Sequence, residues 1–350
     1  MFVPVTYESK PQMPTKPSRA RRWIRDKKAT PYWSNGVFCV RLNVPPSDAC
    51  FQDIAVGVDP GSKKEGFTVK SEAHTYLNVQ AAAKIDVKTK IEKRRNLRRG
   101  RRYRKRPYRK NRTNRLANKQ RIPPSTRARW DWKLRILDWL SKRFPVTHIC
   151  VEDIKAGSRQ GQRRWNASFN PLQVGKQWFY EQVASRWALL TLQGHDTARI
   201  RESLGLKKTS QKTAETFDTH CVDSWCLAFH TVGGAIDVDN TSVFCIYPIH
   251  HKRRCLHREL PKKGGIRSRY GGTMSMGWKK QTLVKHPKHG LCLVGGYQKG
   301  RLALHDVETG KRISLSAKPE ECKRLKRVQF RFKQIESVLI KQDRVQLTRF

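Results

Sequence analysis

Acidic residues are scarce in this chain: 28 Asp and Glu stand against 74 Lys and Arg, a formal net charge of +46 over 350 residues. A surface so one-sided needs counter-ions, and a phosphate backbone is their natural replacement, with binding that weakens steeply as salt rises. Closely paired cysteines are missing too. The nine cysteines fall at 39, 50, 150, 221, 226, 245, 255, 292 and 322, and no two form a CxxC pair. Ribbon and treble-clef zinc sites are thereby disfavoured, because they close a tetrahedron from neighbouring thiolate pairs. The odd count and the lack of a leader-like start (Met1-Phe-Val-Pro-Val) make reduced thiols and a cytoplasmic location the expectation. No run approaches the ~20 apolar residues of a membrane helix, so no membrane partner is expected. There is no internal repeat.

The basic charge is global, with one extreme peak. Between Lys88 and Arg121, 18 of 34 residues are Lys or Arg and the lone acid is Glu92. A charge run is ordinarily a solvated tail. This one is internal, flanked by the apolar runs Ile54-Ala-Val-Gly-Val-Asp59 and His148-Ile-Cys-Val-Glu152, each of which ends in a carboxylate. Its first half has good helix formers, Gly100 weakens it, and Pro107 should end or kink it, so a helix followed by an extended arm is expected.

The rest of the chain divides by pattern. Residues 1–52, rich in proline and with one strand at Val37–Leu42, read as a small module unable to bury much by itself. Ile54–Asp59, Gly66–Lys70 and Thr75–Gln80 read as three strands, the first closed by the turn Pro60-Gly61-Ser62. After the basic segment, 88–124, a helix capped by Ser125 or Thr126 runs to about Phe144 with Trp130, Leu134 and Leu137 on one stripe. A strand over Val146–Asp153 follows. Next come a helix from Leu172 to about Leu192, with Phe179, Val183, Trp187 and Leu190 inward, and a helix through Thr219–Phe229 that stops near Gly233. From residue 241, short β-type runs alternate with Gly and Asp/Lys turns. They predict a compact β-rich domain such as a small barrel, over 241–350.

Three strands, an excursion, a fourth strand and a late helix is the order of an α/β, RNase H-like core. There the first strand ends in an acid at the sheet centre, the fourth delivers a second acid beside it, and the late helix a third. The candidates are Asp59, Glu152 and Asp223, with His220 three residues before Asp223 on the same helix face. Phosphodiester hydrolysis must stabilise an attacking and a leaving oxygen together, which two divalent ions roughly 4 Å apart achieve. Hard oxygen ligands suit Mg²⁺, with Mn²⁺ a substitute. The metal ligands would be Asp59, Glu152 and Asp223, and His220 would hold a water or act as a base. Taken singly each has a plainer reading: Asp-Pro-Gly is an ordinary turn, Asp223 an exposed helix end, His220 a core or surface histidine. Glu152 competes with Asp153, and alternation along a strand separates the two without saying which faces the site.

Several motifs carry a resemblance. Val56-Gly-Val-Asp-Pro-Gly-Ser-Lys63, Val151-Glu-Asp-Ile154 and Thr219-His-Cys-Val-Asp-Ser-Trp225 resemble, in order, the three RuvC motifs of the transposon-encoded RNA-guided nucleases IscB and IsrB. Arg94-Arg-Asn-Leu-Arg-Arg-Gly-Arg-Arg-Tyr-Arg-Lys-Arg106 is similar to their arginine-rich bridge helix. Pro11-Gln-Met-Pro14 resembles the N-terminal PLMP module, with Gln12 in place of the usual Leu, and Tyr270-Gly-Gly-Thr273 resembles the family's C-terminal region. Only about 17 residues, Lys155 to Pro171, separate the Glu152 strand from the next expected helix. They include no His and leave no room for the HNH nuclease of IscB, so the resemblance is to the HNH-lacking IsrB branch.

That resemblance implies an RNA-guided DNA nickase with 53–87 and 125–240 as its split RuvC-like core. Its expected partners are a long structured guide RNA and target double-stranded DNA with a short adjacent motif, one protein per RNA, and the nicked strand would be the non-target one. Arg94, Arg95, Arg98, Arg99, Arg101, Arg102, Arg104, Lys105 and Arg106 would hold RNA, with Tyr103 and Tyr108 available to stack. Lys252, Arg253, Arg254, Arg267, Arg269, Lys279 and Lys280 would contact DNA beside the target, where sequence-blind phosphate binding is the plainer alternative. Three other readings stay open on sequence grounds: a non-catalytic RNA-binding protein of ribosomal type, a RuvC-like junction resolvase acting without RNA, and a TnpB-like nuclease, disfavoured by the missing CxxC pairs.

Overall fold

The structure, a computed structural model, describes residues 2–46, 50–104, 122–153, 175–249, 274–275 and 277–335. It forms two compact units, Met1–Cys245 with Gln334–Phe350, and Ile246–Lys333. The expected helix–arm break at Pro107, Tyr108, the 155–171 segment, Tyr270–Thr273 and a strand near 344–347 lie outside the described residues.

In the first unit the chain begins with β1 (Val3–Tyr7), β2 (Lys10–Thr15), α1 (Pro17–Arg25), β3 (Ala29–Ser34) and β4 (Val37–Leu42), a four-stranded sheet of order β2-β1-β4-β3. Contrary to the single strand read from sequence, this module has a core of its own: Val3, Val5, Ala20, Ala29 and Val40 are buried together against Trp23 and Ile24. The prolines that obscured it, Pro4, Pro11, Pro14 and Pro31, all sit inside strands.

Next come β5 (Ile54–Asp59), β6 (Lys64–Ser71), β7 (Thr75–Ala82), α2 (Asp86–Tyr103), α3 (Pro124–Ser141), β8 (His148–Asp153), α4 (Lys176–Ala184), β9 (Ala188–Gln193), α5 (Gly194–Ser203), α6 (Val222–Val232) and β10 (Val243–Pro248). Across the sheet these strands run β10-β7-β6-β5-β8-β9. β5, β6 and β7 are successively antiparallel, whereas β8 runs parallel to β5 and β9 parallel to β8. That is the RNase H-like arrangement. β5 is buried along its whole length, as a central strand with both faces covered must be. One face is covered by α6, whose Trp225 Nε1 donates to Thr75 Oγ1. The other is covered by α3, where the Trp130 ring stacks on Phe179 of α4 at 4.7 Å between centroids.

The helix expected over 172–192 is shorter than its sequence suggests. It ends at Ala184, and Ala188–Gln193 is β9, a strand laid in parallel register along all six residues of β8. Ala and Leu favour helix locally, and the ladder offered by β8 overrides that weak preference. Trp187 and Leu190 therefore do not share a helix face with Phe179 and Val183, and Leu190 is 41% exposed. The helix α5 that follows was not anticipated. α3 begins at Pro124, so Ser125 and Thr126 lie inside its first turn and do not cap it; Pro suits that position because its missing N–H would have had no partner within the helix, and the helix stops at Ser141.

The second unit is β-rich. β11 (Met274–Ser275) pairs with β12 (Trp278–Lys279). β13 (Thr282–His286), β14 (Gly290–Gln298), β15 (Arg301–Asp306), β16 (Arg312–Ala317) and β17 (Lys323–Arg327) form an antiparallel sheet of order β16-β15-β14-β13-β17, and β18 (Phe330–Ile335) follows. Val284, Cys292, Val294, Leu302 and Leu304 fill one of its cores, and Leu283, Leu293, Val307 and Val328 another. No described helix is long and apolar enough to cross a membrane.

Candidate active site

Asp59 and Glu152 come together because β5 and β8 are parallel neighbours. Val58 pairs with Val151, and each acid lies one residue further along its own strand. In a parallel pair, laterally matched residues point to the same face, so both carboxylates project from the C-terminal ends of adjacent strands, the usual place for a site in such a sheet.

The third element reaches them through glycines. A Cβ on Gly57 would meet the Ser224 carbonyl oxygen at 1.8 Å, and one on Gly66 would meet that of His220 at 2.1 Å. Their bare backbones let α6 lie directly on the sheet. Ahead of α6, residues Phe217–Cys221 form a single π-turn. Such turns are rare and concentrate at functional sites. Here it carries His220 to Asp59, with His220 Nδ1 3.0 Å from Asp59 Oδ2, while the first turn of α6 carries the almost fully buried Asp223.

Neighbouring Glu152 and Asp153 have opposite surroundings. Asp153 receives Lys176 Nζ at 2.5 Å and Tyr180 Oη at 2.9 Å on Oδ1, and Gln193 Nε2 at 3.1 Å on Oδ2. Burial works against its charge, but these donors hold its carboxyl below the usual range. Glu152 has no such donors. Burial first, then the adjacent Asp59 and the more distant Asp223, push it up to about 8, with Lys208 pulling the other way. The alternation that sequence left open is thus resolved by geometry: Glu152 faces Asp59, and Asp153 is an ion-paired strut behind it. Gly194, at the start of α5, leaves room for Glu152, since a Cβ there would stand 3.1 Å from Oε1.

Two cations that sequence reasoning missed complete the site. Arg201 on α5 donates from Nη1 to Asp223 Oδ1 at 2.6 Å, and the Lys208 ammonium donates to Oδ2. Burial alone would lower the Lys208 pKa; Asp223, with Asp59 and Glu152 beyond it, more than offsets this and raises it. Neither residue belongs to a periodic or motif-like pattern, so no sequence signal marks them.

Among the described residues, no group of three or more His, Cys, Asp or Glu side chains is gathered as a ready-made metal cluster. The donor set nonetheless fits a hard divalent ion. His220 meets Asp59, burial and then Asp59 and Asp223 drive Glu152 toward protonation, and Asp223 draws in a guanidinium and an ammonium, so the acids are of the type that a hard cation takes.

The basic helix α2 leaves the core directly after β7, and α3 leads into β8. Arg94, Arg95, Arg98, Arg99 and Arg104 are exposed, Arg102 is half-buried, Arg101 lies in the helix, and Tyr103 is 90% exposed. None of the described side chains of α2 is buried. Lys279 and Lys280 are exposed in the second unit. Lys105, Arg106, Lys252, Arg253, Arg254, Arg267 and Arg269 lie outside the described residues.

Residues 2–165 match the family model described as "RRXRR protein", and Arg98-Arg-Gly-Arg-Arg102 in α2 spells that pattern. No curated protein matches the chain. Among solved structures, it is similar to T. thermophilus RuvC in complex with a Holliday junction substrate, at 11% identity and a TM-score of 0.26, over 52% of this chain and 97% of that one.

Proposed function

We propose that this protein is an RNA-guided DNA endonuclease of the IsrB type, which nicks one strand, the non-target one, at a single RuvC-like centre. The observation that carries this reading is the grouping of Asp59 with Glu152 and His220, and of Asp223 within electrostatic reach of Glu152, on the same sheet whose β7 leads into an arginine-covered helix. A helix of that composition, with none of its described side chains buried, gains little from its own chain, and a phosphate backbone would satisfy it.

Asp59, Glu152 and Asp223 would hold two Mg²⁺ ions, with Mn²⁺ able to replace them. When bound, such ions activate a water and stabilise the charge on the leaving oxygen. His220 orients the Asp59 carboxylate through Nδ1, and its Nε2 remains to take up or deliver a proton at the attacked phosphate. Arg94 through Arg106 would grip the guide RNA. Because α2 is continuous with the catalytic sheet, the gripped RNA is fixed relative to the acids. Base pairing would supply sequence choice, and the protein shape and charge. Lys279 and Lys280, with the basic residues of 252–269, would contact DNA beside the target.

The test begins with expression of the full chain alongside its flanking DNA and sequencing of the RNA that co-purifies. A discrete structured species with a variable segment is expected. With that RNA and Mg²⁺, a matching duplex should be cut in one strand, and Asp59→Ala should abolish the cut while keeping the RNA. Random RNA fragments would point to a ribosomal-type binder, and cutting of branched DNA without RNA to a junction resolvase.

A further inference from the structure

Both oxygens of the Asp223 carboxylate are occupied by protein cations: Arg201 on Oδ1 at 2.6 Å and Lys208 on Oδ2. The two differ in how firmly they are placed. The Arg201 side chain is 18% exposed and comes from within α5. That of Lys208 is 35% exposed and comes from the non-helical segment after α5, which is tied back to the π-turn by a hydrogen bond from Thr209 N to the Asp218 carbonyl, 3.0 Å long. Asp223 itself is only 3% exposed at its side chain. An ion cannot bind Oδ2 while the ammonium is on it, and Lys208 can leave by swinging outward on its own flexible stem.

Resting on the reading of Asp59, Glu152 and Asp223 as ion ligands, we propose that Lys208 is a displaceable internal cation that blocks Asp223 until a nucleic-acid phosphate draws its ammonium away. The metal site would then be completed only in the presence of substrate. An ammonium is a point charge equally able to pair with carboxylate or phosphate, and a strand entering beside Asp59 brings phosphates to the exposed side of Lys208. Arg201, planar and more deeply set, would stay and keep Asp223 in place. Such an arrangement guards a strongly basic nuclease against holding a loaded site in the absence of a substrate strand.

The experiment measures Mn²⁺ binding by the full chain, from the EPR signal of the free ion, with and without a single-stranded DNA oligonucleotide. Lys208→Gln is expected to bind Mn²⁺ on the order of tenfold more tightly than wild type in the absence of DNA, within the ordinary range of coupling between two sites. DNA contributes phosphate ligands of its own to both proteins, so the deciding quantity is the difference between their gains: wild type should gain more than Lys208→Gln. Lys208→Arg, which keeps the charge, should stay close to wild type, and thermal unfolding of each variant checks that it is folded. Unchanged Mn²⁺ affinity in Lys208→Gln, or equal gains with DNA, overturns the role of Lys208. Asp59→Asn separates the two readings. If it binds Mn²⁺ as wild type does, the metal site itself is wrong and the Lys208 proposal falls with it; if it loses Mn²⁺ while Lys208→Gln is unchanged, the Lys208 proposal alone fails.

Discussion

His220 and Asp59 stand 161 positions apart in sequence, yet Nδ1 of the one is 3.0 Å from Oδ2 of the other. The hydrogen bond joins the end of β5 to the π-turn before α6, and it leaves Nε2 as the remaining ring nitrogen for chemistry. A histidine anchored in this way acts mainly through the orientation of its ring and of the carboxylate. His220→Ala should therefore lower the cleavage rate by roughly 10–100-fold or more, with little change in RNA retention. His220→Gln should recover none of the proton-transfer component. Equal rates for wild type and His220→Ala would remove the histidine from the site.

The reverse face of the same sheet holds a second long-range pair. Lys133 Nζ of α3 donates to Glu65 Oε1 of β6 at 2.7 Å, and both side chains are fully buried. The other oxygen, Glu65 Oε2, has no hydrogen-bond partner. Burial pushes the Glu65 carboxyl above its usual value, and Lys133 is the chief influence pulling it back. Lys133→Met removes that influence and leaves a buried carboxylate, at a cost of about 3–5 kcal/mol. With a folded-state pKa above the unfolded one, the folded protein holds the extra proton. Stability in the variant is then greatest below the unfolded value of Glu and falls as pH rises toward the folded one. Chemical denaturation of Lys133→Met should accordingly give a larger deficit at pH 8 than at pH 5. The double variant with Glu65→Leu should recover much of the loss at both.

How much of this was legible in advance depends on how local the cause is. Asp59 was readable because an all-apolar run ends at it and a Pro-Gly turn follows. The α2 helix was readable from composition, although it starts at Asp86, not 88, and stops at Tyr103. β9 was misread as helix because Ala-Leu-Leu-Thr-Leu-Gln is helix-prone by itself, and only its pairing with β8 makes it a strand. Gly57 and Gly66 looked like ordinary strand glycines, and their purpose appears only when α6 is seen resting on them. Arg201 and Lys208 are two basic residues among 74 in the chain. What selects them is a fold that brings them to Asp223, and no spacing rule encodes that.

The exposed face of α2 yields a prediction with no stability component. Arg94, Arg95, Arg98 and Arg99 all face solvent, so changing all four to Gln should leave the thermal midpoint within about 2 °C, as surface substitutions ordinarily do. RNA affinity should fall, and the slope of log affinity against log salt should shrink by about 0.7 for each single-strand phosphate that is no longer neutralised. A variant that binds RNA with an unchanged slope would mean that the guide lies elsewhere.

The neighbours Glu152 and Asp153 offer the sharpest separation of chemistry from architecture. Asp153 collects Lys176, Tyr180 and Gln193 and thereby ties β8 to α4 and β9. Asp153→Asn weakens charge-assisted hydrogen bonds worth about 1.5–3 kcal/mol each, and should lower the unfolding midpoint while retaining measurable cleavage. Glu152 has the opposite balance. It is crowded by Asp59 and Asp223 with no dedicated donor, so ionisation at this position strains the folded state. Glu152→Gln replaces a carboxyl that the fold makes costly to ionise with a neutral side chain and should leave the protein as stable as wild type or slightly more so, while cleavage drops by about 10²-fold or more, as expected when a group serving the transition state is lost. Urea unfolding and single-turnover cleavage, measured on both variants side by side, decide the matter: destabilisation by Glu152→Gln with cleavage intact would exchange the roles of the two acids.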